Sequence, residues 1–393
     1  MKSLKQEGYT TCFFVGGGNS MHLLESASHL FKCIPVVHEV TAAIAAEYFN
    51  QSTNGKSRAF VLVTAGPGLT NLITGVAGAW LDSRELLVVG GQAKSINLAK
   101  GKVRQIGHQE VNGVGIVKDI TKIAETIDKP IKQDLIKELV SQSWLGRPGP
   151  VFIEICLDVS AMQFNENIFP PIPSIEKNNS EIKPDWEQYI TQKLKESKRP
   201  LILLGGGVTR EAARFLQQQA LENLIPIACT WTGADRCGFD YPYYAGRPNT
   251  YGMRWANVFQ QQCDLMIAIG TSLGYQQTGF NTLEFCPNAE IIHVDIDQNE
   301  LEKQNPGTKL ISFVSDFNEE EINHTISNLN AIIDFNIELE EKEVLFVNKV
   351  EELKRIFERQ NLGKLQNLKF DMNELNLNLS DEEQSDTNTM ASE

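Results

Sequence analysis

The sequence has no long apolar run and no start typical of secretion. No stretch of about 18 consecutive apolar residues occurs in the 393-residue chain, so we expect no transmembrane helix. Residues 1–8 are mostly polar, and no long apolar segment of a signal peptide follows them. These two absences predict a cytoplasmic protein with no membrane partner.

The sequence also has fewer basic than acidic residues. Lysine and arginine number 36 against 50 aspartate and glutamate residues, which gives a formal net charge of −14 and a pI of about 5.0. Because an acidic chain repels phosphate backbones, nucleic acid is not expected as a partner. A hydrophobic content of 41% and a charged content of 22% are typical of globular proteins and exclude a mostly disordered chain.

Cysteine pairs of the CxxC type are missing as well. The seven cysteines are odd in number and irregular in spacing, which argues against both a disulfide framework and a zinc site. We therefore expect small buried thiols in a reducing compartment, and no metal ligands. They are Cys12, Cys33, Cys156, Cys229, Cys237, Cys263 and Cys286.

The pattern of short apolar runs and helical segments predicts two α/β domains. Within 1–165 and again within 198–333, strands separated by helices indicate doubly wound parallel sheets. The Pro-rich and polar stretch 166–197 is expected to be an interdomain linker. Over 334–393 an amphipathic helix, with apolar positions at 346, 350, 353 and 357, is expected to precede a disordered acidic tail.

Two motifs lie where a predicted strand gives way to a helix. Glu39 follows His38 at the start of an Ala-rich helix; taken alone, it is a first-turn acid that complements the helix dipole. Gly66-Pro67-Gly68 stands at a second strand-to-helix turn. Such glycines allow a ligand to approach the backbone closely, but the same residues also make an ordinary tight turn.

Further motifs follow in a fixed order. They are Gly-Ala-Trp-Leu-Asp-Ser at 78–83, Arg-Gln-Ile-Gly-His-Gln-Glu at 104–110 and Gly-Arg-Pro-Gly-Pro-Val at 146–151. With the two above, they resemble the thiamine-diphosphate-dependent enzymes of the acetolactate synthase-like superfamily. The chain most resembles the members found in surface-polysaccharide gene clusters. The resemblance covers about residues 1–330.

The resemblance implies a role for each motif of the first domain, which would bind the aminopyrimidine ring of the cofactor. Glu39 matches the family glutamate that hydrogen-bonds the ring atom N1′ and so promotes proton loss from the thiazolium ring. The cofactor-binding residues implied beside it are Gly66, Pro67, Gly68, Asn71 and Gln109. Arg104 and His108 could contact a substrate carboxylate, although surface roles are favoured for both.

The implied activity is decarboxylation or carboligation of a 2-keto acid such as pyruvate, by a homodimer that uses Mg²⁺. In acetolactate synthases proper the central domain, here 198–333, also holds FAD. The stretch 274–281 lacks the arginines expected for flavin binding, so FAD is doubtful. Asp297 ends a predicted strand and could bind a ribose hydroxyl or cap a helix.

The Gly-Asp-Gly motif of the family's third domain, which binds diphosphate and Mg²⁺, is absent from the sequence. We therefore expect that domain to be supplied elsewhere, by a partner chain or unread sequence, and this chain alone to bind cofactor weakly or not at all. Two alternatives stay open. One is a catalytically inactive truncated remnant or interaction protein; the other is a nucleotide-binding module that uses only the central domain.

Overall fold

The computed structural model describes residues 1–162, 186–303 and 310–315, which form two parallel sheets with helices on both faces. The predicted C-terminal helix and tail over 334–393 lie outside the described residues, as does most of the predicted linker. The prediction of an α/β chain with two doubly wound parallel-sheet domains is confirmed.

The first sheet has the strand order β2-β1-β3-β4-β6-β5, with every pair parallel. Its strands are β1 (Tyr9–Phe14), β2 (Lys32–Pro35), β3 (Arg58–Val63), β4 (Leu86–Gln92), β5 (Ile123–Ile127) and β6 (Pro150–Cys156). Its helices are α1 (Lys2–Gln6), α2 (Met21–Ser28), α3 (Glu39–Thr53), α4 (Pro67–Leu81), α5 (Gly113–Val117), α6 (Gln133–Ser141) and α7 (Leu157–Ser160). The order of the strands reverses between β1 and β3, and such a switch point opens a crevice at the carboxyl ends of the strands.

The second sheet has the order β9-β8-β7-β10-β11-β12, also parallel throughout. Its strands are β7 (Pro200–Leu204), β8 (Ile227–Cys229), β9 (Tyr244–Gly246), β10 (Leu265–Ile269), β11 (Glu290–Asp295) and β12 (Leu310–Val314). Its helices are α8 (Trp186–Glu196), α9 (Arg210–Glu222), α10 (Arg254–Gln262) and α11 (Gln298–Glu302). Here the switch point falls between β7 and β10.

The end of the predicted linker is a helix of the second domain. Within α8, Ile190 is buried in the same apolar cluster as Leu204 and Ile267. The linker prediction over 166–197 therefore extends too far, because the polar composition of 186–196 reflects a helix with only one apolar face. The short edge strands β5 and β9 were not expected either, since neither carries a continuous apolar run.

Small residues bring α3 and α4 into close contact. Ala42, Ala43 and Ala46 are fully buried on the inner face of α3, and a side chain added at Gly75 of α4 would meet the Cβ of Ala43 at 2.4 Å. Two helix axes approach this closely only where such side chains are absent. The N-terminal ends of both helices therefore lie together at one edge of the first sheet.

Candidate functional site

The candidate site lies at the switch point of the first sheet. Gly17 follows β1 and Thr64 follows β3, and a Cβ added at Gly17 would lie 2.4 Å from the Cβ of Thr64. The two strand ends are thus in direct contact, as the sheet order requires. Crevices of this kind are where open α/β sheets bind ligands.

Glu39 begins α3 at this edge and points into the crevice. His38 caps the helix, because its Nδ1 accepts the Val40 amide proton at 3.3 Å. The Glu39 side chain is only 7% exposed, and its Oε2 accepts a hydrogen bond of 2.9 Å from Nδ2 of Asn71 on α4. Within the described part of the chain no donor reaches Oε1, so this buried carboxylate keeps one oxygen for a ligand.

The turn that starts α4 forms the adjacent wall. Gly66 has a φ of +66°, and a Cβ there would lie 2.6 Å from the backbone oxygen of Gln109. A Cβ at Gly68 would lie 3.0 Å from Cγ2 of Thr64 and 3.7 Å from Oε1 of Glu39. Pro67 lies between them at the first position of the helix. The wall beside the carboxylate is therefore bare backbone, which a flat ring can approach.

Thr64 supplies a second polar atom without a partner. Its hydroxyl is buried and makes no hydrogen bond in the structure. Such an atom carries an energetic cost that a bound polar group can remove. Thr64 adjoins Gly68, which in turn adjoins Glu39, so an orphaned hydroxyl and an available carboxylate oxygen occupy the same small region.

A loop over 99–112 closes the other side of the crevice. Gln109 adopts a left-handed backbone conformation with a φ of 56°. Asn19 donates to the carbonyl of His108 at 3.0 Å, and Gln92 donates to that of Val111 at 2.9 Å. Glu110 accepts hydrogen bonds from three backbone amides of the same loop. The loop is thereby held against the turn at Gly66.

A cavity of about 840 Å³ lies between the two domains and is lined by four arginines, Arg84, Arg147, Arg210 and Arg236. Arg236 bonds the carbonyls of Gly206 and Val208 and the carboxylate of Asp235. The carbonyls of the glycine-rich turn after β7 thus already have a cationic partner within the protein. A phosphate has little to bind there, because the amides of Gly205 and Gly207 also bond carbonyls.

Two of the other three arginines form close ion pairs, whereas Arg84 makes one long contact and its buried Nε has no hydrogen-bond partner among the described residues. Arg84 lies 3.9 Å from the Glu47 carboxylate, and Arg210 bonds Asp235 at 2.7 Å. Arg147, from the Gly-Arg-Pro-Gly-Pro motif, bonds Asp297 and Glu300 of the second domain, each at 2.8 Å. Of these ion pairs, those of Arg147 cross between the domains, whereas the other two each lie within one domain.

Asp297 is the cap of α11. Its Oδ1 accepts the Asn299 amide proton at 3.0 Å while Oδ2 accepts from Arg147. Burial raises the pKa of Asp297, but the Arg147 guanidinium and the Asn299 amide outweigh it and hold the pKa below its usual value. Of the two roles considered for Asp297, helix capping is confirmed.

Residues 1–116 match the family model described as the thiamine pyrophosphate enzyme N-terminal TPP binding domain, and residues 188–320 match the central domain of the same enzymes. The chain belongs to the thiamine pyrophosphate enzyme family. The second matched segment covers all six strands of the second sheet, whereas the first covers β1 to β4 of the first sheet and contains the crevice at Glu39.

The relatives of this thiamine pyrophosphate enzyme chain are acetolactate synthases. It is 31% identical over 311 residues to the isozyme 2 large subunit of Escherichia coli (strain K12), which covers 77% of this chain and 54% of the relative. It is 33% identical over 282 residues to the large subunit of Cyanidium caldarium, covering 70% and 47%. The probable large subunit of Methanocaldococcus jannaschii (strain ATCC 43067 / DSM 2661 / JAL-1 / JCM 10045 / NBRC 100440) is 31% identical over 314 residues, covering 77% and 51%. The chain spans about half the length of these relatives.

The structure brings the six predicted site residues of this chain together. Contacts link Asn71 to Glu39, Gly68 to Glu39 and Gly66 to Gln109, and Pro67 joins the two glycines. The sequence interpretation did not single out Thr64, Asn19 or Glu110. Glu110 ends the motif that contains Gln109, and Thr64 stands two residues before Gly66 in the strand-to-helix turn, whereas Asn19 carries no local pattern that marks it.

The described ranges offer neither a metal-binding cluster nor a membrane-spanning helix. They contain no group of three or more His, Cys, Asp or Glu side chains placed to hold a metal ion. Within the same ranges, no helix has the length and apolar character needed to span a membrane.

Proposed function

We propose that this chain supplies the pyrimidine-binding half of a thiamine diphosphate site that acts on a 2-keto acid such as pyruvate, by decarboxylation or carboligation. The observation that carries the proposal is the Glu39 carboxylate. It is buried at the switch point, anchored by Asn71 through one oxygen and open at the other. The acetolactate synthase names of the relatives support the same class of reaction.

The residues of the crevice fit an aminopyrimidine ring. Glu39 would hold the proton at ring atom N1′, and its burial keeps that proton from exchanging freely with water. Asn71 would orient the carboxylate, and the bare backbone at Gly66 and Gly68 would lie along the ring face. We place Gln109 near the reacting centre. Bound thiamine diphosphate supplies an electron sink for decarboxylation of the keto acid.

We propose that diphosphate and Mg²⁺ are held by protein outside the described residues, either elsewhere on the polypeptide or on a partner chain. A homodimer is the expected assembly. In support, the outer face of α3 and its surroundings expose Val37, Ile44, Tyr48 and Leu81, which are 99%, 45%, 59% and 78% exposed, with no charge among them.

FAD does not fit the described residues of the interdomain cavity. A flavin dinucleotide carries a diphosphate, which needs free cations or free amides. Three of the four lining arginines are already bound to carboxylates of the protein, and Asp297 caps a helix instead of facing a ribose. The fourth, Arg84, lies 3.9 Å from Glu47 and has a buried Nε without a hydrogen-bond partner among the described residues. We propose that this domain binds no FAD. Purified protein should show no flavin absorbance and no heat on titration with FAD or ADP; stoichiometric binding of either would refute this.

A cytoplasmic location is retained as a proposal. Its support is that all seven cysteines are free thiols, six of them buried, as is usual in a reducing compartment.

The test of the function combines binding with complementation. Calorimetric titration of the chain alone with thiamine diphosphate and Mg²⁺ should show weak or no binding, and micromolar affinity would contradict the proposed division of the site. Added protein carrying the Gly-Asp-Gly domain should then restore release of CO₂ from pyruvate.

Glu39→Gln should lower that restored activity by about 10²–10⁴-fold, the usual effect of losing a proton-transfer group. The control is Glu47→Gln, which removes a second buried carboxylate from the same helix but away from the crevice. If no partner restores activity, or if Glu39→Gln retains it, the chain is better described as an inactive relative or an interaction protein.

A further inference from the structure

The loop over 99–112 ends beside the proposed ring site, and its shape is held mainly by one side chain. The Glu110 carboxylate accepts the amide proton of Ala99 through Oε1 at 2.5 Å. Through Oε2 it accepts those of Ile106 and Gly107 at 2.9 and 3.0 Å. One carboxylate therefore ties the first residue of the loop to the segment just before Gln109.

These contacts favour the charged form of Glu110. Burial raises the pKa of this carboxyl, but the three amide donors together lower it more, so the pKa lies below its usual value. A charged acceptor also makes each of these hydrogen bonds stronger than a neutral one would be.

Gln109 needs such support. A left-handed backbone conformation is unfavourable for a residue other than glycine and persists only where the surroundings fix it. On one side of Gln109, the carbonyl of His108 is held by Asn19. On the other side, Glu110 is fixed by its three amides, and the backbone oxygen of Gln109 faces Gly66 at a distance that only glycine allows.

We infer that Glu110 is a positioning residue, whose carboxylate folds the loop onto itself and so holds Gln109 in its left-handed conformation against the Gly66 turn. That Glu110 holds the loop follows from the contacts of the loop alone. That this positioning serves thiamine diphosphate rests on the proposed function.

The first test is hydrogen–deuterium exchange resolved by residue on the full chain. In Glu110→Ala, the amides of Ala99, Ile106 and Gly107 should exchange at least about tenfold faster, since each loses its acceptor. In Glu110→Gln the remaining carbonyl oxygen should turn toward the two amides at 106 and 107, so that only Ala99 is released. The control Glu125→Gln, an exposed carboxylate of β5, should change none of the three. Unchanged exchange in Glu110→Ala would overturn the inference.

The second test reads the conformation of Gln109 directly. Its backbone NMR shifts and amide–Hα coupling should report a positive φ in the parent chain, in Glu110→Gln and in Glu125→Gln, and should lose it in Glu110→Ala. A general loss of stability would affect residues throughout the chain and would not change the φ angle of Gln109 alone. If Glu110→Ala does not fold, the selective release of Ala99 in Glu110→Gln decides the question, and its absence refutes the inference.

The third test separates this inference from the proposed function. The probe is 4-amino-5-hydroxymethyl-2-methylpyrimidine, the free pyrimidine half of the cofactor, followed by saturation-transfer NMR. Glu39→Gln should abolish its binding, and Glu110→Ala should weaken it at least about tenfold. Equal binding to Glu110→Ala and the parent chain would refute the positioning role toward the ring. If the parent chain does not bind the probe, the proposed function fails, and Glu110 holds the loop only.

Discussion

The crevice at Glu39 and the cavity between the domains occupy similar positions in their sheets, but their polar side chains differ in how many partners they have within the protein. Both lie at the carboxyl ends of parallel strands beside a switch point. In the cavity, Arg147, Arg210 and Arg236 are bound to carboxylates of the protein, and the buried Nε of Arg84 has no hydrogen-bond partner among the described residues. In the crevice, a buried carboxylate oxygen and the buried hydroxyl of Thr64 have no partner among the described residues.

The difference shows that volume is a poor guide to a binding site. In the larger space, which lies between the two domains, most of the arginines are bound to carboxylates of the protein. The smaller one has a carboxylate oxygen and a hydroxyl without partners next to bare backbone. A buried polar atom without a partner lowers stability, so its persistence is explained most simply by a ligand that completes it.

The largest expected effect comes from closing the crevice. Gly66→Ala places a side chain at a φ of +66° and a Cβ 2.6 Å from the Gln109 oxygen. We expect a loss of stability of about 1–3 kcal/mol from the backbone strain alone, with more from the displaced loop. Urea unfolding measures this.

The matched control for that substitution is Gly279→Ala in the second domain. Gly279 has a similar φ of +69° but nothing within 4 Å of an added Cβ. Gly279→Ala should therefore lose only the stability that comes from placing an alanine at a positive φ angle. Equal losses in the two variants would mean that the contact between Gly66 and Gln109 contributes nothing.

Cutting the main interdomain ion pair should have the next largest effect. Arg147→Met leaves Asp297 and Glu300 without their shared cation, although Lys303 still pairs with Glu300. Allowing for the partial exposure of Arg147, we expect a loss of about 1–3 kcal/mol. Calorimetry should resolve separate unfolding of the two domains, while the exposed Arg254→Met should melt as the parent chain does. A single unchanged transition in Arg147→Met would show that the pair does not join the domains.

A smaller effect should appear as a pH dependence at the edge of the cavity. Burial raises the pKa of Glu47 from 4.5 to about 6, with Arg84 acting in the opposite direction. The folded state binds this proton more tightly than the unfolded state does. The contribution of Glu47 to the free energy of unfolding should therefore fall as pH rises from 4.5 to about 6, and the loss due to Glu47 should stay constant at higher pH. Urea titrations of the parent chain and Glu47→Gln should diverge over this window in favour of the variant. Parallel curves would contradict the raised pKa.

The last comparison concerns the close approach of α3 and α4, where the smallest effect is that of Gly78→Ala. Gly75→Ala should destabilise the chain, because the new Cβ would lie 2.4 Å from that of Ala43. Gly78→Ala, on the same helix with no atom within 4 Å, should stabilise it by up to about 1 kcal/mol through helix propensity. Thermal melts of the two variants measure the change in stability. A loss in Gly75→Ala beside a gain in Gly78→Ala would show that contact between the helices, which sets Asn71 beside Glu39, outweighs helix propensity. Equal gains would show that propensity alone decides.

Much of the architecture could be predicted from the sequence, because parallel strands buried on both faces appear as apolar runs and their turns as glycine motifs. The two predicted α/β domains each contain a six-stranded parallel sheet, and the turn at 66–68 starts α4 as expected. Contacts between residues that are far apart in the sequence could not be predicted from it. Arg147 and Asp297 are 150 residues apart, and no periodicity reports their pairing. The partnerless hydroxyl of Thr64 depends on the whole three-dimensional surroundings in the same way.

The strand order of the first sheet has a consequence for synthesis of the chain. β5 pairs only with β6, and β6 also covers the open side of β4, yet β6 is the last of these strands to be made. During translation β1, β3 and β4 can associate while the far edge of β4 still exposes unpaired backbone groups. Such an edge recruits other chains. Fragments that stop before residue 150 should therefore aggregate, and an N-terminal domain prepared in isolation should extend at least to residue 156.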